Sequence, residues 1–456
     1  MNKTKFLTLV GATCMLAGGL AACNSKHYDV KITVYNWEDY IYEGTDDEGE
    51  KIGDSTIEAF EKYYEEKTGL SIKVNYLTFS TNEEMYTKIS KGTTKADLCC
   101  PSDYMIQQMQ SEGLLESFGY DYDKSSYGEE LSNVNDYTSP YIKNLFKENK
   151  FSDFAVPYFW GTVGFTYNSK YITEDQVSSW EFLWNPGTDT TGKSLNKMIT
   201  IKDSVRDTYF TAVLHVYKDE VADLHAKHNN GTYTDEQFNA KLSEIFNRCD
   251  DATLASVEAE LKALKGRVTL EVDEGKNEMV TESIYANLAW SGDAVFAMDE
   301  AEASDVSLSY ALPEEGSNVW FDGWCMPKGA NVEAAKEFVN FLALPSVAAE
   351  NMDYVGYTSP IAGQEIWDLC NDWYAAEDDA DAEEVDEVDL SYFFEGTLDE
   401  GEDAVIAVYK EDRGRQFDAQ FPSKEVITRC AIMKDFGAEA NKKLYNMWGN
   451  VKASLA

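Results

Sequence analysis

Residues 31–113 switch repeatedly between two side-chain periods, and this constrains the fold more than any other feature of the chain. Residues 31–40 (KITVYNWEDY) begin as an alternating apolar run, the period of a strand. Ser55-Thr56-Ile57-Glu58 then has capping-box spacing. Ile57, Phe60 and Tyr64 fall on one helical face, and Gly69 closes the segment. Leu70, Ile72, Val74 and Tyr76 alternate again, and Thr81-Asn82-Glu83-Glu84 offers a second capping box before Met85 and Ile89. Residues 96–100 are a short apolar strand stopped by Pro101, and Ser102-Asp103 caps a helix running to Gly113. The order βαβαβα predicts an α/β fold, with a parallel sheet flanked by helices.

At 456 residues the chain exceeds what one core holds, which predicts two or more. Residues 117–150 are polar and irregular. Asp121, Asp123 and Ser125 imitate the start of a calcium loop, but Ser126 and Ser132 stand where glycine and glutamate are required. Residues 154–168 (FAVPYFWGTVGFTYN) are densely apolar without a helical period. They predict consecutive strands that carry the chain into a second lobe. Further strands are expected at 198–201, 289–290 and 319–326, and helices over 208–265, 278–288 and 334–342. The acidic run 377–389 (EDDADAEEVDEVD) predicts a solvated insertion. Ile432, Phe436, Ala440, Leu444, Trp448 and Val451 predict a final helix.

The N-terminus reads as an address. Lys3 and Lys5 precede the apolar run 6–19, and Leu20-Ala21-Ala22-Cys23 resembles a bacterial lipobox. This predicts a signal peptide over 1–22, lipidation of Cys23, a tether over 23–29 and an extracytoplasmic protein held to the membrane by acyl chains. Export permits disulfides among Cys99, Cys100, Cys249, Cys325, Cys370 and Cys430, but their wide spacing assigns none. With 82 acidic against 39 basic residues, the formal charge is −43. Such a surface repels phosphate, which argues against nucleic acid and favours cations or a cationic partner.

Enzymatic devices are missing. The four histidines are at 27, 215, 225 and 228, none beside a nucleophile motif. There is no GxSxG elbow, P-loop, GxGxxG after a strand, or HExxH, so neither an enzyme nor a cofactor is expected. His225 and His228 share a helix face but lack a third ligand, so no metal is expected. What recurs instead, at several expected strand ends, is an aromatic ring beside a carboxylate or hydroxyl. The clusters are Trp37-Glu38-Asp39-Tyr40, Ser102-Asp103-Tyr104, Asp203 with Asp207, Trp290-Ser291-Gly292-Asp293, Trp320-Phe321-Asp322, and Tyr357. Carboxylates pair with ammonium groups, and aromatic faces attract cations and cover methylenes. This lining suits a ligand that is apolar in the middle and cationic at its ends.

At these residues the chain resembles the substrate-binding lipoproteins of polyamine ABC importers, the spermidine/putrescine-binding proteins. The matching pieces are YNWEDY at 35–40, CPSDY at 100–104, VPYFWGTVGFTYN at 156–168, DSVRD at 203–207, LAWSGDA at 288–294, VWFDGWCMP at 319–327 and VGYTSP at 355–360. Their order runs from about residue 30 to the C-terminus, interrupted by insertions near 43–54, 220–250 and 375–405. The resemblance implies a two-lobed periplasmic-binding-protein-like (type II) fold with a hinge and an interlobe cleft. It implies a first lobe over 30–157 with a returning segment at about 320–350, and a second over 158–319 completed by about 351–456. Trp37, Tyr40, Tyr104, Trp290, Trp320 and Tyr357 would sandwich the polyamine's methylenes. Asp203, Asp207 and Asp322 would hold its ammonium groups, Ser102 would add a hydrogen bond, and Glu38 rather than Asp39 would face the pocket. The implied partners are putrescine or spermidine and the permease subunits of an ABC transporter. The alternative is a binding lipoprotein for another small solute, such as a sugar or amino acid.

Overall fold

The computed structural model describes residues 27–46, 49–272, 274–377 and 379–455. The expected signal peptide and Cys23 lie outside the described residues. Strand β1 (Val30–Trp37) pairs in parallel with β2 (Ile72–Phe79) and β3 (Leu98–Cys99), in the order β2-β1-β3. The helices between them start and stop where the local chemistry dictates. Ser55 and Glu58 form a complete capping box at the helix Thr56–Thr68, which ends on Gly69 in the left-handed conformation. Thr81 accepts from the Glu84 amide at the helix Asn82–Ser90. These elements form the α/β layer that the alternating periods predict.

Residues 156–168 form one 13-residue strand, β4 (Val156–Asn168), rather than consecutive strands. Every residue in it is buried, because both faces are covered, so its sequence shows no alternation. Val156, Tyr158, Phe159 and Trp160 belong to one apolar core, whereas Val163, Phe165 and Tyr167 belong to another. β4 therefore passes from one lobe into the other. β5 (Ile199–Lys202), β6 (Val268–Glu271), β7 (Ala286–Trp290), β8 (Leu308–Ala311) and β9 (Ser317–Trp324) complete a mixed sheet with β4. β9 runs antiparallel to β4, with Asp322 opposite Phe159, and it too contributes side chains to both cores. The result is a two-lobed α/β fold with β4 and β9 as crossing strands.

Three other segments differ from expectation. Residues 117–150 include the helices Ser132–Tyr137 and Pro140–Glu148; Pro140 opens the second, and Ile142 and Phe146 anchor it at i, i+4 spacing. The acidic run is largely exposed, as a solvated insertion should be, but it is not all loop. Its end is β10 (Val385–Asp389), which forms an antiparallel hairpin with β11 (Val405–Tyr409), whose Ile406 and Val408 are buried. Residues 361–427 pack their apolar side chains into the first core, although the sequence assigns 351–456 to the second lobe. The cause is aromatic packing, with Phe393 stacked on Trp160 and in edge contact with Phe394 and Phe421. After the short strand β12 (Cys430–Ala431), Leu444, Met447, Trp448 and Val451 of the final helix do join the second core. Cys99, Cys100, Cys249, Cys325, Cys370 and Cys430 are all unpaired thiols.

Candidate functional site

The first lobe's sheet meets β9 at the cleft. Ser102 and Asp322 form an isolated antiparallel bridge, and the Gly323 amide donates to the Pro101 carbonyl at 3.0 Å. These contacts place the end of β3, the start of the helix Asp103–Ser111 and the carboxylate of Asp322 side by side. Around them opens a cleft of about 2500 Å³. Trp37, Glu38, Tyr40, Ser102, Tyr104, Asp203, Asp207, Trp290, Trp320, Asp322 and Tyr357 all line it, and so do Asp39, Asp103, Lys202 and Asp293.

Tyr40 is the centre of the aromatic wall. Its hydroxyl donates to Asp322 Oδ2 at 2.8 Å, and its ring makes edge contacts with Phe159 (5.0 Å) and Tyr357 (5.5 Å). Tyr357 also meets Trp320 at 5.5 Å, and Trp320 donates its indole hydrogen to the Thr162 carbonyl. Two glycines make room for this wall. A Cβ on Gly292 would lie 2.3 Å from the Tyr357 ring, and one on Gly161 would lie 2.8 Å from Trp320. Trp37 ends β1, packs on Phe79 at 4.6 Å and keeps a buried indole N–H without a hydrogen-bond partner. Tyr104 donates to Glu83, and its ring lies 4.7 Å from the Arg206 guanidinium. Glu38 and Asp39 are both exposed at the rim, with Glu38 accepting from the Ser80 hydroxyl. Asp39 has φ = 49°, a left-handed conformation that turns the chain from β1 toward Tyr40.

The carboxylates fall into three groups. Asp203 is partly neutralised within the cleft: its Oδ2 lies 2.6 Å from Lys452, which also lines the cleft, while its Oδ1 is buried without a hydrogen bond. Asp103, Asp207 and Asp322 form the second group, buried together. Burial pushes Asp322 up to about 7, against the downward pull of the Ser102 and Tyr40 hydroxyls, and the Asp207 charge adds to the rise. Burial likewise raises Asp207, although the Ser204 hydroxyl and the Trp290 indole N–H (3.2 Å) oppose it. Asp103 is also raised well above the usual carboxylate range, again by burial, despite its hydrogen bond from the Tyr104 amide and the nearby Arg206. None of these three has an ion-pair partner among the described residues, and Asp103 Oδ2 and Asp322 Oδ1 are buried without a hydrogen bond. Buried acceptors of this kind call for donors, and charged ones for cations.

Asp293 forms the third group with Glu271 and Lys202. Lys202 Nζ lies 3.0 Å from Glu271 Oε1, 3.2 Å from Asp293 Oδ2 and 4.2 Å from the centre of the Trp290 ring. Burial raises Asp293, but Lys202 and Lys276 outweigh it and hold the group below its ordinary value. The Tyr357 hydroxyl donates to its other oxygen at 2.9 Å. The sequence places Asp103 and Asp293 in the ring-and-acid clusters but assigns neither a role with the ligand, reading Asp103 as a helix cap, and it leaves Lys202 out. Asp293 was signalled by its place beside Trp290; Lys202 had no comparable signal.

Two lobes on crossing strands, with an acidic and aromatic cleft between them, define a solute-binding protein of the periplasmic type. The family model for bacterial extracellular solute-binding proteins matches residues 57–367, and the chain belongs to that family. It is 27% identical over 352 residues to the spermidine/putrescine-binding periplasmic protein of Escherichia coli K12, covering 76% of this chain and 83% of that one. It is 26% identical over 368 residues to the putrescine-binding periplasmic protein PotF of the same organism, covering 79% and 85%. Among solved structures, the substrate-binding protein PotD of a spermidine/putrescine ABC transporter from Streptococcus pneumoniae superposes with a TM-score of 0.59. It is 24% identical, with 94% of this chain and all of that chain covered. Membership in this family places the protein outside the cytoplasm.

Proposed function

We propose that this protein captures a polyamine, putrescine or spermidine, in the interlobe cleft and delivers it to the permease of an ABC importer. The observation that carries this reading is the buried trio Asp103, Asp207 and Asp322. These three acids sit among aromatic walls, with two carboxylate oxygens left without donors. An ammonium group supplies both the charge and the hydrogen bonds they lack, and the rings cover the methylenes between ammonium groups. Relatives named for spermidine and putrescine support the same reading. A sugar supplies no cation, and an α-amino acid would bring its carboxylate against the acids.

In this proposal the first lobe is residues 30–157 with the returning segment 320–350, the second is built on 158–319, and they close by hinge motion at β4 and β9. Trp37, Tyr40, Tyr104, Trp320 and Tyr357 grip the chain of the ligand, and Ser102 steadies Asp322. Residues 1–22 are removed on export, and lipidated Cys23 holds the protein at the membrane. A thermal-shift screen tests the binding: putrescine or spermidine should raise the melting temperature by mass action, whereas sugars and amino acids should not. A shift with a sugar or amino acid and none with either amine would overturn the reading.

A further inference from the structure

Lys202 ends β5 and points into the cleft, and its side chain is 1% exposed. Its ammonium lies over the Trp290 ring at 4.2 Å, between two carboxylates at 3.0 and 3.2 Å, with the Val272 carbonyl as a third acceptor at 3.2 Å. An aromatic face with flanking carboxylates is the environment that a ligand ammonium would seek. Here the protein fills it with its own side chain. Asp293 is further committed, to the Tyr357 hydroxyl at 2.9 Å and to Lys276 at 3.9 Å. Asp207 accepts the Trp290 indole hydrogen at 3.2 Å and has no ion-pair partner among the described residues. The cleft is thus asymmetric: Lys202 and Lys276 neutralise Glu271 and Asp293, whereas Asp103, Asp207 and Asp322 have no ion-pair partner among the described residues.

We propose that Lys202 is a resident ammonium that occupies the second-lobe cation position of the cleft, so that the site takes a diamine and rejects a triamine. This rests on the polyamine reading and sharpens it. A diamine satisfies Asp322, Asp207 and Asp103 and stops short of Lys202. A triamine that extends past Trp290 brings its extra ammonium against Lys202 Nζ inside a buried site, where like charges are poorly screened. Removing the Lys202 charge leaves Glu271 buried without an ion pair and Asp293 with only the longer contact to Lys276, and the extra ammonium of a triamine then becomes their counter-ion.

The test is calorimetric titration of putrescine and spermidine into the native protein, K202M and K202M/E271Q. The double variant removes one charge of each sign and guards against K202M failing to fold. Native protein should bind putrescine more tightly than spermidine by about tenfold or more, and either variant should move that ratio by about tenfold toward spermidine. Equal or tighter spermidine binding by the native protein overturns the proposal, as does an unchanged ratio in a folded variant. If neither amine binds the native protein, the polyamine reading itself falls, and this inference falls with it.

Discussion

The hydroxyl of Tyr40 donates to the carboxylate of Asp322 at 2.8 Å, across 282 residues of chain. One residue closes the first strand's motif, and the other sits in the strand that returns from the second lobe. Their meeting places a buried acid against the aromatic wall, and its other oxygen is left for a donor from outside the protein. Asp322 should therefore dominate ligand affinity. Asp322→Ala is expected to cost about 2–5 kcal/mol of polyamine binding, the range for losing one partner of a buried charge pair. Calorimetry on the variant reads this directly, and an unchanged affinity would remove Asp322 from the site.

Binding should release protons. Burial pushes Asp322 up to about 7, so a protonated fraction persists at neutral pH, and an ammonium ligand selects the ionised form. Titration at pH 7 in buffers of different ionisation enthalpy should show buffer-dependent heats corresponding to net proton release. Affinity should weaken as the pH falls below 7. Heats independent of buffer would contradict the linkage.

The unliganded protein should lose stability as the pH rises from 5 to 8. A carboxyl whose folded value is raised binds more protons folded than unfolded, so its contribution turns unfavourable above the unfolded value and levels off only above the folded one. Asp322 (about 7), Asp207 and Asp103 all carry this sign. Melting temperature should fall through this window in the apo protein and fall less in Asp322→Asn. The same slope in both would assign it to other groups.

Gly292→Ala should damage the site through Tyr357. The added Cβ would lie 2.3 Å from the ring, so the ring must move, releasing Asp293 and the edge contacts with Tyr40 and Trp320. About 1–3 kcal/mol of stability is expected to be lost, the usual cost of overpacking, together with polyamine affinity. Denaturant melts and calorimetry measure the two separately, and a variant with native affinity would show that Tyr357 is not part of the grip.

Much of this cleft was legible in the sequence, because rings and acids at strand ends are conspicuous where an alternating run stops. Tyr40, Ser102 and Asp322 could be marked out that way although they are far apart in the chain. Lys202 could not. A lysine closing the short apolar run ITIK looks like a solvated strand end, and its acceptors come from residues 271, 272 and 293. Asp103 looked like a cap because its type and position suit one, but the carboxylate serves only the Tyr104 amide and leaves an oxygen bare. β4 looked like consecutive strands because an unbroken apolar run carries no mark of where one lobe's core gives way to the next. The acidic hairpin was hidden by composition, since only Val388 within the acidic run is buried and its partners, Ile406 and Val408, lie some twenty residues further on.

Cys23 should carry the membrane attachment. Cys23→Ala should move the protein from the membrane fraction to the soluble one and abolish incorporation of labelled fatty acid. Continued labelling of the variant would exclude Cys23 as the acylated residue.

The most direct measurement is a calorimetric titration of putrescine into the purified native protein at pH 7, beside Asp322→Ala under the same conditions. The expected result is a saturable single-site isotherm for the native protein and a loss of about 2–5 kcal/mol in the variant. No binding by the native protein, or equal binding by both, would contradict a polyamine cleft organised on Asp322.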